Sequence, residues 1–166
     1  MVQFTRSFFS LCLIAASIAV PTKRTVAQVE ADIVSILTEV IAFNNNIIEG
    51  LVPEIPESLG TALNTGTSDV KATGTFDEAD STNILNDVQL AIAPVFNEAL
   101  IRIEAIALHV GGIPGMVLLG LEALKTDTDA FTGALIAAVP ADLKSQATTI
   151  QNNMDTAFTS AIAAFS

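Results

Sequence analysis

The 166-residue chain contains no tryptophan, no tyrosine, one histidine and one cysteine. Without tryptophan and tyrosine it has few of the flat aromatic platforms on which sugars and bases stack. A lone cysteine cannot build an intramolecular disulfide framework, so the fold must stand on its hydrophobic core. Positive charge is also scarce: 7 Lys plus Arg face 18 Asp plus Glu, a formal net charge of -11. No basic stripe is available to neutralise phosphates, which argues against nucleic acid as a partner and against electrostatic docking on anionic lipid. What the chain has in quantity is apolar surface. Hydrophobic residues make up 51% and charged residues 15%, a composition that excludes a disordered chain. One domain of this length buries roughly two thirds of its unfolded surface.

The first 24 residues read as an export signal. Arg6 provides a positive start, and Phe8 to Val20 (FFSLCLIAASIAV) forms an apolar stretch too short to span a bilayer comfortably. Ser17-Ile18-Ala19 supplies the small residues a signal peptidase needs, and the dibasic pair Lys23-Arg24 resembles a processing-protease site. The expected organisation is a signal peptide over 1–19, a short pro-segment over 20–24 and one domain over 25–166. The three bases Arg6, Lys23 and Arg24 and the single Cys12 all leave with the leader. The remaining chain then holds 4 bases against 18 acids, a net of -14, and no thiol. The expected location is extracellular, either free or associated with the cell wall. No later apolar run is long enough for a transmembrane span, and no Asn-x-Ser/Thr sequon occurs.

From Thr25 onward the apolar period is helical. Val26, Val29, Ile33, Ile36, Val40, Phe43 and Ile47 step by three and four over about 25–49, with Leu37, Ile41 and Ile48 broadening the face. Thr25 is positioned as a cap, and Gly50, Pro53 and Pro56 end the segment. A weaker helix is expected over about 55–73, where Gly60 and Gly66 each cost about 1 kcal/mol relative to alanine. A third spans about 80–110, with Asp80, Ser81 and Thr82 as cap candidates and Pro94 predicting a kink. A fourth opens near Pro114 and runs to about Val139; a fifth starts at 140–142 and carries Leu143, Ala147, Ile150, Met154, Phe158 and Ile162. No segment alternates with period two. The expected fold is all-α: a single antiparallel bundle of four long helices and one weak short one, joined by short connections.

Reactive machinery is hard to assemble from these residues. His109 is the only histidine, no Gly-x-Ser-x-Gly elbow accompanies it, and its place near a helix end suits a dipole partner. Asp77, Glu78 and Asp80 precede a helix, where negative charge is favourable, and their spacing is not that of a calcium loop. Asp127 and Asp129 stand two apart on a helix and therefore point to different faces. No zinc spacing, phosphate loop or dinucleotide fingerprint occurs. The reading is a binding protein, with no catalytic residues, metal or cofactor.

Short motifs along the chain support that reading. Lys23-Arg24 precedes Val29-Glu30-Ala31-Asp32-Ile33. Gly112-Ile113-Pro114 opens a helix that continues as Leu121-Glu122-Ala123-Leu124-Lys125-Thr126-Asp127-Thr128-Asp129-Ala130. Pro140-Ala141-Asp142-Leu143 follows, and Met154-Asp155-Thr156-Ala157-Phe158 and Ala161-Ile162-Ala163-Ala164-Phe165-Ser166 come last. In order and spacing these pieces resemble the fungal hydrophobic surface-binding protein A family, which includes antigenic cell-wall galactomannoproteins. The resemblance implies a secreted all-α protein that adsorbs to hydrophobic surfaces and recruits a secreted polyester hydrolase of the cutinase kind. For the galactomannoprotein branch it implies a bundle that encloses a fatty-acid tail. A structural or antigenic wall protein without a soluble ligand is the third alternative.

Physical chemistry favours recognition of a tail over recognition of a head. Each methylene withdrawn from water gains about 0.8 kcal/mol, so a long acyl chain gains roughly 10 kcal/mol before entropic costs. A headgroup hydrogen bond adds about 1 kcal/mol net. The candidate lining consists of Ile36, Val40, Phe43 and Ile47; Val88, Ile92, Val95 and Ile103; Leu118, Leu121, Phe131 and Leu135; and Ile150, Met154 and Phe158. Apolar residues at helical spacing are ordinarily core, so each has a packing role as well. The uncharged run Ile113 to Leu121 supplies the candidates for surface adsorption: Ile113, Met116, Val117 and Leu119.

Overall fold

The computed structural model describes residues 25–48, 55–107 and 114–166; the expected leader, Cys12, His109 and Ile113 lie outside them. The helices are α1 (Val26–Ile48), α2 (Glu57–Thr73), α3 (Glu78–Asp87), a π-helical turn (Val88–Ile92), α4 (Ala93–Ala107), α5 (Pro114–Ala138) and α6 (Lys144–Ala163). Since α3, the π turn and α4 are continuous, the described chain forms five helical rods and no strand.

Local chemistry accounts for the boundaries. Thr25 closes the first turn of α1 through its carbonyl, which accepts from the N–H groups of Gln28 and Val29. α2 forms despite its glycines and threonines. Thr61, Thr65, Thr67, Ser68 and Thr73 each donate their hydroxyl to the carbonyl four residues back, so these polar side chains are satisfied within the helix. It ends at Gly74, whose φ of 84° is in the left-handed region open to glycine and whose N–H reaches the Val70 carbonyl. The cap of α3 is Asp77, three residues before the expected Asp80: its carboxylate accepts from the Asp80 N–H at 2.8 Å. The break expected at Pro94 takes the form of the π turn just before it. Proline cannot donate to the Leu90 carbonyl, and the chain widens there so that the Ala93 N–H bonds Val88 instead. α6 starts at Lys144, because residues 141–143 form a turn in which the Leu143 N–H donates to the Pro140 carbonyl.

The rods close a ring in the order α1, α2, α5, α6 and α3–α4, with α3–α4 returning against α1. Chain neighbours such as α4 and α5 are thus separated in space, an order that short connections do not dictate. Pairings between residues show the directions. Gly120 of α5 faces Ile55, Gly60 of α2 faces Asp127, and Gly66 faces Phe131, so α2 and α5 run parallel. α6 joins α3–α4 through Gln146 with Gln89 and Ser160 with Glu104, again in parallel. The Phe76 N–H donates to the Ala138 carbonyl at 2.9 Å and ties the α2–α3 connection to the end of α5.

All five rods turn their apolar faces into one core. Its largest fully buried side chains include Phe43, Phe96, Phe158, Ile36, Leu59, Leu63, Leu100 and Leu121. The Phe96 and Phe158 rings meet at 5.3 Å and 57°, a tilted pair that joins α4 to α6. Among the described residues no helix is long and apolar enough to cross a membrane.

Candidate functional site

Thirteen of the fifteen lining candidates fall in this one core: Ile36, Val40, Phe43, Ile47, Val88, Ile92, Ile103, Leu121, Phe131, Leu135, Ile150, Met154 and Phe158 are buried together. The remaining two sit at its margin. Val95 packs against the core while partly exposed, and Leu118 is half-buried. The adsorption candidates divide. Met116 and Leu119 are exposed, at 62% and 67%. Val117 is a correction: at 2% exposure it belongs to the core, because the step from Val117 to Leu121 and Leu124 is the buried face of α5. An unbroken apolar run hides which residues carry the seam.

Residues 49–56 join α1 to α2 and 108–113 join α4 to α5, and the contact of Gly120 with Ile55 brings the starts of α2 and α5 together. Met116 and Leu119 stand there, on the first turns of α5. Exposed Ile41 and Ile101 lie about two turns from the same end, on α1 and α4. Val34 and Leu90 are exposed further along those rods. Large aliphatic side chains are thus exposed on three of the rods.

A buried polar atom also lies toward that end. Asn44 is 8% exposed, between Phe43 and Ile47 on the buried face of α1. Its Oδ1 has no hydrogen-bond partner. An amide oxygen left so costs about 1–3 kcal/mol in the free protein and can accept a hydrogen bond from a hydroxyl or protonated carboxyl that enters the core.

The two flanks of α5 differ in their polar content. Toward α6, Lys125 donates to Asp129 and Asp155, each at 2.7 Å. The shared ammonium brings the Asp129 and Asp155 carboxylates side by side. Burial, aided by this contact with Asp155, holds the Asp129 carboxyl above its ordinary value. The hydrogen bond from Lys125 leads in lowering Asp155. Burial pulls the Lys125 ammonium down, but its two carboxylate partners outweigh that and leave it raised. Toward α2 lies a cleft of about 440 Å³, floored by Leu124 and Ile55 and edged by Glu57 and Asp127. A Cβ on Gly60 would stand 2.9 Å from Asp127 Oδ2, and one on Gly120 would stand 3.0 Å from Ile55 Cδ1. Two glycines lining the cleft therefore let α2 and α5 approach each other closely. Sequence reasoning treated the helical glycines only as a cost, although a glycine tolerated inside a helix is itself a signal of close approach.

A ring of amphipathic rods around one apolar core, with large aliphatic side chains exposed on several rods, defines a helical bundle of the binding kind. The model of the family described as hydrophobic surface binding protein A matches residues 26–137. The chain belongs to that family. Among solved structures it is similar to AfMP4p, crystallised in complex with palmitic acid: 30% identity, TM-score 0.79, covering 86% of this chain and 100% of that one. Ligand-binding domain 1 of Penicillium marneffei MP1, complexed with arachidonic acids, shares the fold at 16% identity and TM-score 0.77, over 86% of this chain and 99% of that domain. Domain 2 of the same protein, complexed with multiple arachidonic acids, does so at 17% and 0.70, over 87% and 98%. No curated protein matches the chain.

Proposed function

We propose that this protein binds apolar matter through the end of the bundle that carries Met116 and Leu119, and that it works outside the cell on hydrophobic surfaces. The observation that carries the reading is the gathering of exposed Met116, Leu119, Ile41 and Ile101 at one end of an otherwise acidic protein. Each such side chain withdrawn from water contributes about 1.5–3 kcal/mol. The acidic remainder keeps the free protein soluble until it meets a surface. Adsorption to a polyester film, measured for the native chain and for the double variant Met116→Gln, Leu119→Gln, tests it. The variant is expected to lose most of its adsorption at unchanged helicity; equal adsorption of both would overturn the reading. Recruitment of a secreted polyester hydrolase belongs to the same proposal and is tested by whether the adsorbed protein raises the amount of such a hydrolase retained on the film. Export is tested by N-terminal sequencing of the secreted chain, expected to begin at Val20 or Thr25.

A second reading is capture of a long acyl chain between the rods. It is favoured by the unpartnered Oδ1 of Asn44 within the core and by the palmitic acid in the AfMP4p relative. Native mass spectrometry of the purified protein, with palmitic acid added, is expected to show a one-to-one complex. Absence of a complex would leave surface adsorption as the activity.

A further inference from the structure

We propose that the cleft between α2 and α5 is a second binding site, selective for a small organic cation with an apolar tail, such as a primary alkylammonium. The site goes beyond the adsorption reading and stands or falls separately from it. Three observations carry it. The cleft, at about 440 Å³, has the size of a small-molecule site, and its floor is apolar at Leu124 and Ile55. Its edges carry two carboxylates, Glu57 and Asp127, and among the described residues no cation lines it. Glycines on both of its walls allow a close approach of the lining side chains. Gly60 lets the Asp127 carboxylate lie against the backbone of α2, and Gly120 leaves room for Ile55.

Charge assigns the occupant. No hydrogen bond or ion pair joins the side chain of Asp127 or Glu57 to a described residue, whereas Lys125, on the same helix, is fully engaged by Asp129 and Asp155. An ammonium placed between Asp127 and Glu57 gains two opposite charges, and its methylenes reach the Leu124 floor. Asn64 and Thr61 at the rim add polar contacts for its remaining N–H groups. A fatty-acid carboxylate would meet two like charges in the same place and is repelled.

The test titrates the full chain with octylammonium, octanoate and octanol, three probes with one tail and different heads, and follows backbone amides by NMR. Octylammonium is expected to shift Gly60, Thr61, Gly120 and Ala123 saturably, while octanoate leaves them unmoved and octanol moves them weakly. Asp127→Asn is expected to weaken octylammonium about fivefold, the scale of a half-exposed ion pair, and to leave film adsorption unchanged. Gly60→Leu is expected to abolish the response; circular dichroism checks its fold, and Asp127→Asn carries the test alone if that variant unfolds. Equal response of these amides to all three probes, or an unchanged affinity in Asp127→Asn, would overturn the proposal.

Discussion

Asp127 and Asp129 stand two residues apart on α5 and meet opposite surroundings. Asp129 turns toward α6, where Lys125 and Asp155 close the seam with paired charge. Asp127 turns toward α2, where it faces the bare backbone of Gly60 at the edge of an open cleft. The two flanks share a helix and a core beneath them, yet one is sealed and the other accessible. The difference lies in what the neighbouring rod offers. α6 brings a second carboxylate for Lys125 to bridge, and α2 brings glycines. A charge on a helical rod is structural or available according to the partner's residues more than its own.

The largest expected effect comes from removing what both flanks rest on. Phe158→Ala should cost about 3–5 kcal/mol in urea unfolding, since the ring is fully buried against Phe96, and it should weaken palmitate binding if acyl chains enter the core. On the α2 side, Gly66→Leu should cost about 1–3 kcal/mol: even a Cβ there stands 3.0 Å from Phe131 and 3.2 Å from Ile36, both held in the core. Asn44→Leu should raise stability without ligand by about 1 kcal/mol, because it removes an unsatisfied oxygen, and should weaken palmitate in native mass spectrometry.

On the α6 side, Lys125→Met should cost about 1 kcal/mol at neutral pH. Its pH dependence sharpens the contrast. Asp155 sits below its ordinary value and contributes stability that is lost as pH falls through the acidic range. Asp129 sits above its ordinary value, so its contribution is present at low pH and lost as pH rises through its own titration. The two carboxylates of the native seam therefore respond to pH with opposite signs. In Lys125→Met two carboxylates face each other without a cation, and stability should recover on acidification as one of them takes up a proton. Smallest of all, Gly60→Ala should change stability by under about 1 kcal/mol, since the Asp127 carboxylate can swing aside and alanine favours the helix.

The rods were legible because their seams repeat: Val29, Ile33, Ile36, Val40, Phe43 and Ile47 step along α1 and are all buried. α2 was legible from Leu59, Leu63 and Val70 despite its glycines. The ring order was not, because a short connection limits distance without choosing the side on which the next rod packs. Nor was the exposure of individual residues in the run from Ile113 to Leu121, where every position is apolar or glycine and Val117 turns inward beside outward Met116. The cleft escaped notice for a related reason: Gly60 and Gly120 carry no side chain to show where the two rods approach each other.

The π turn before Pro94 fixes a rotational phase. The extra residue in Val88–Ile92 lets α3 and α4 each aim their own seam inward although the two seams are out of step along a single helix. Tightening the turn into a regular α-helix with all its residues kept would spin everything downstream by about 100° about its axis. Phe96, Leu100 and Ile103 would then swing out toward water, and Phe158 would lose its ring partner. An insertion that looks like an irregularity is the gear that keeps the two halves of the longest rod engaged with the same interior.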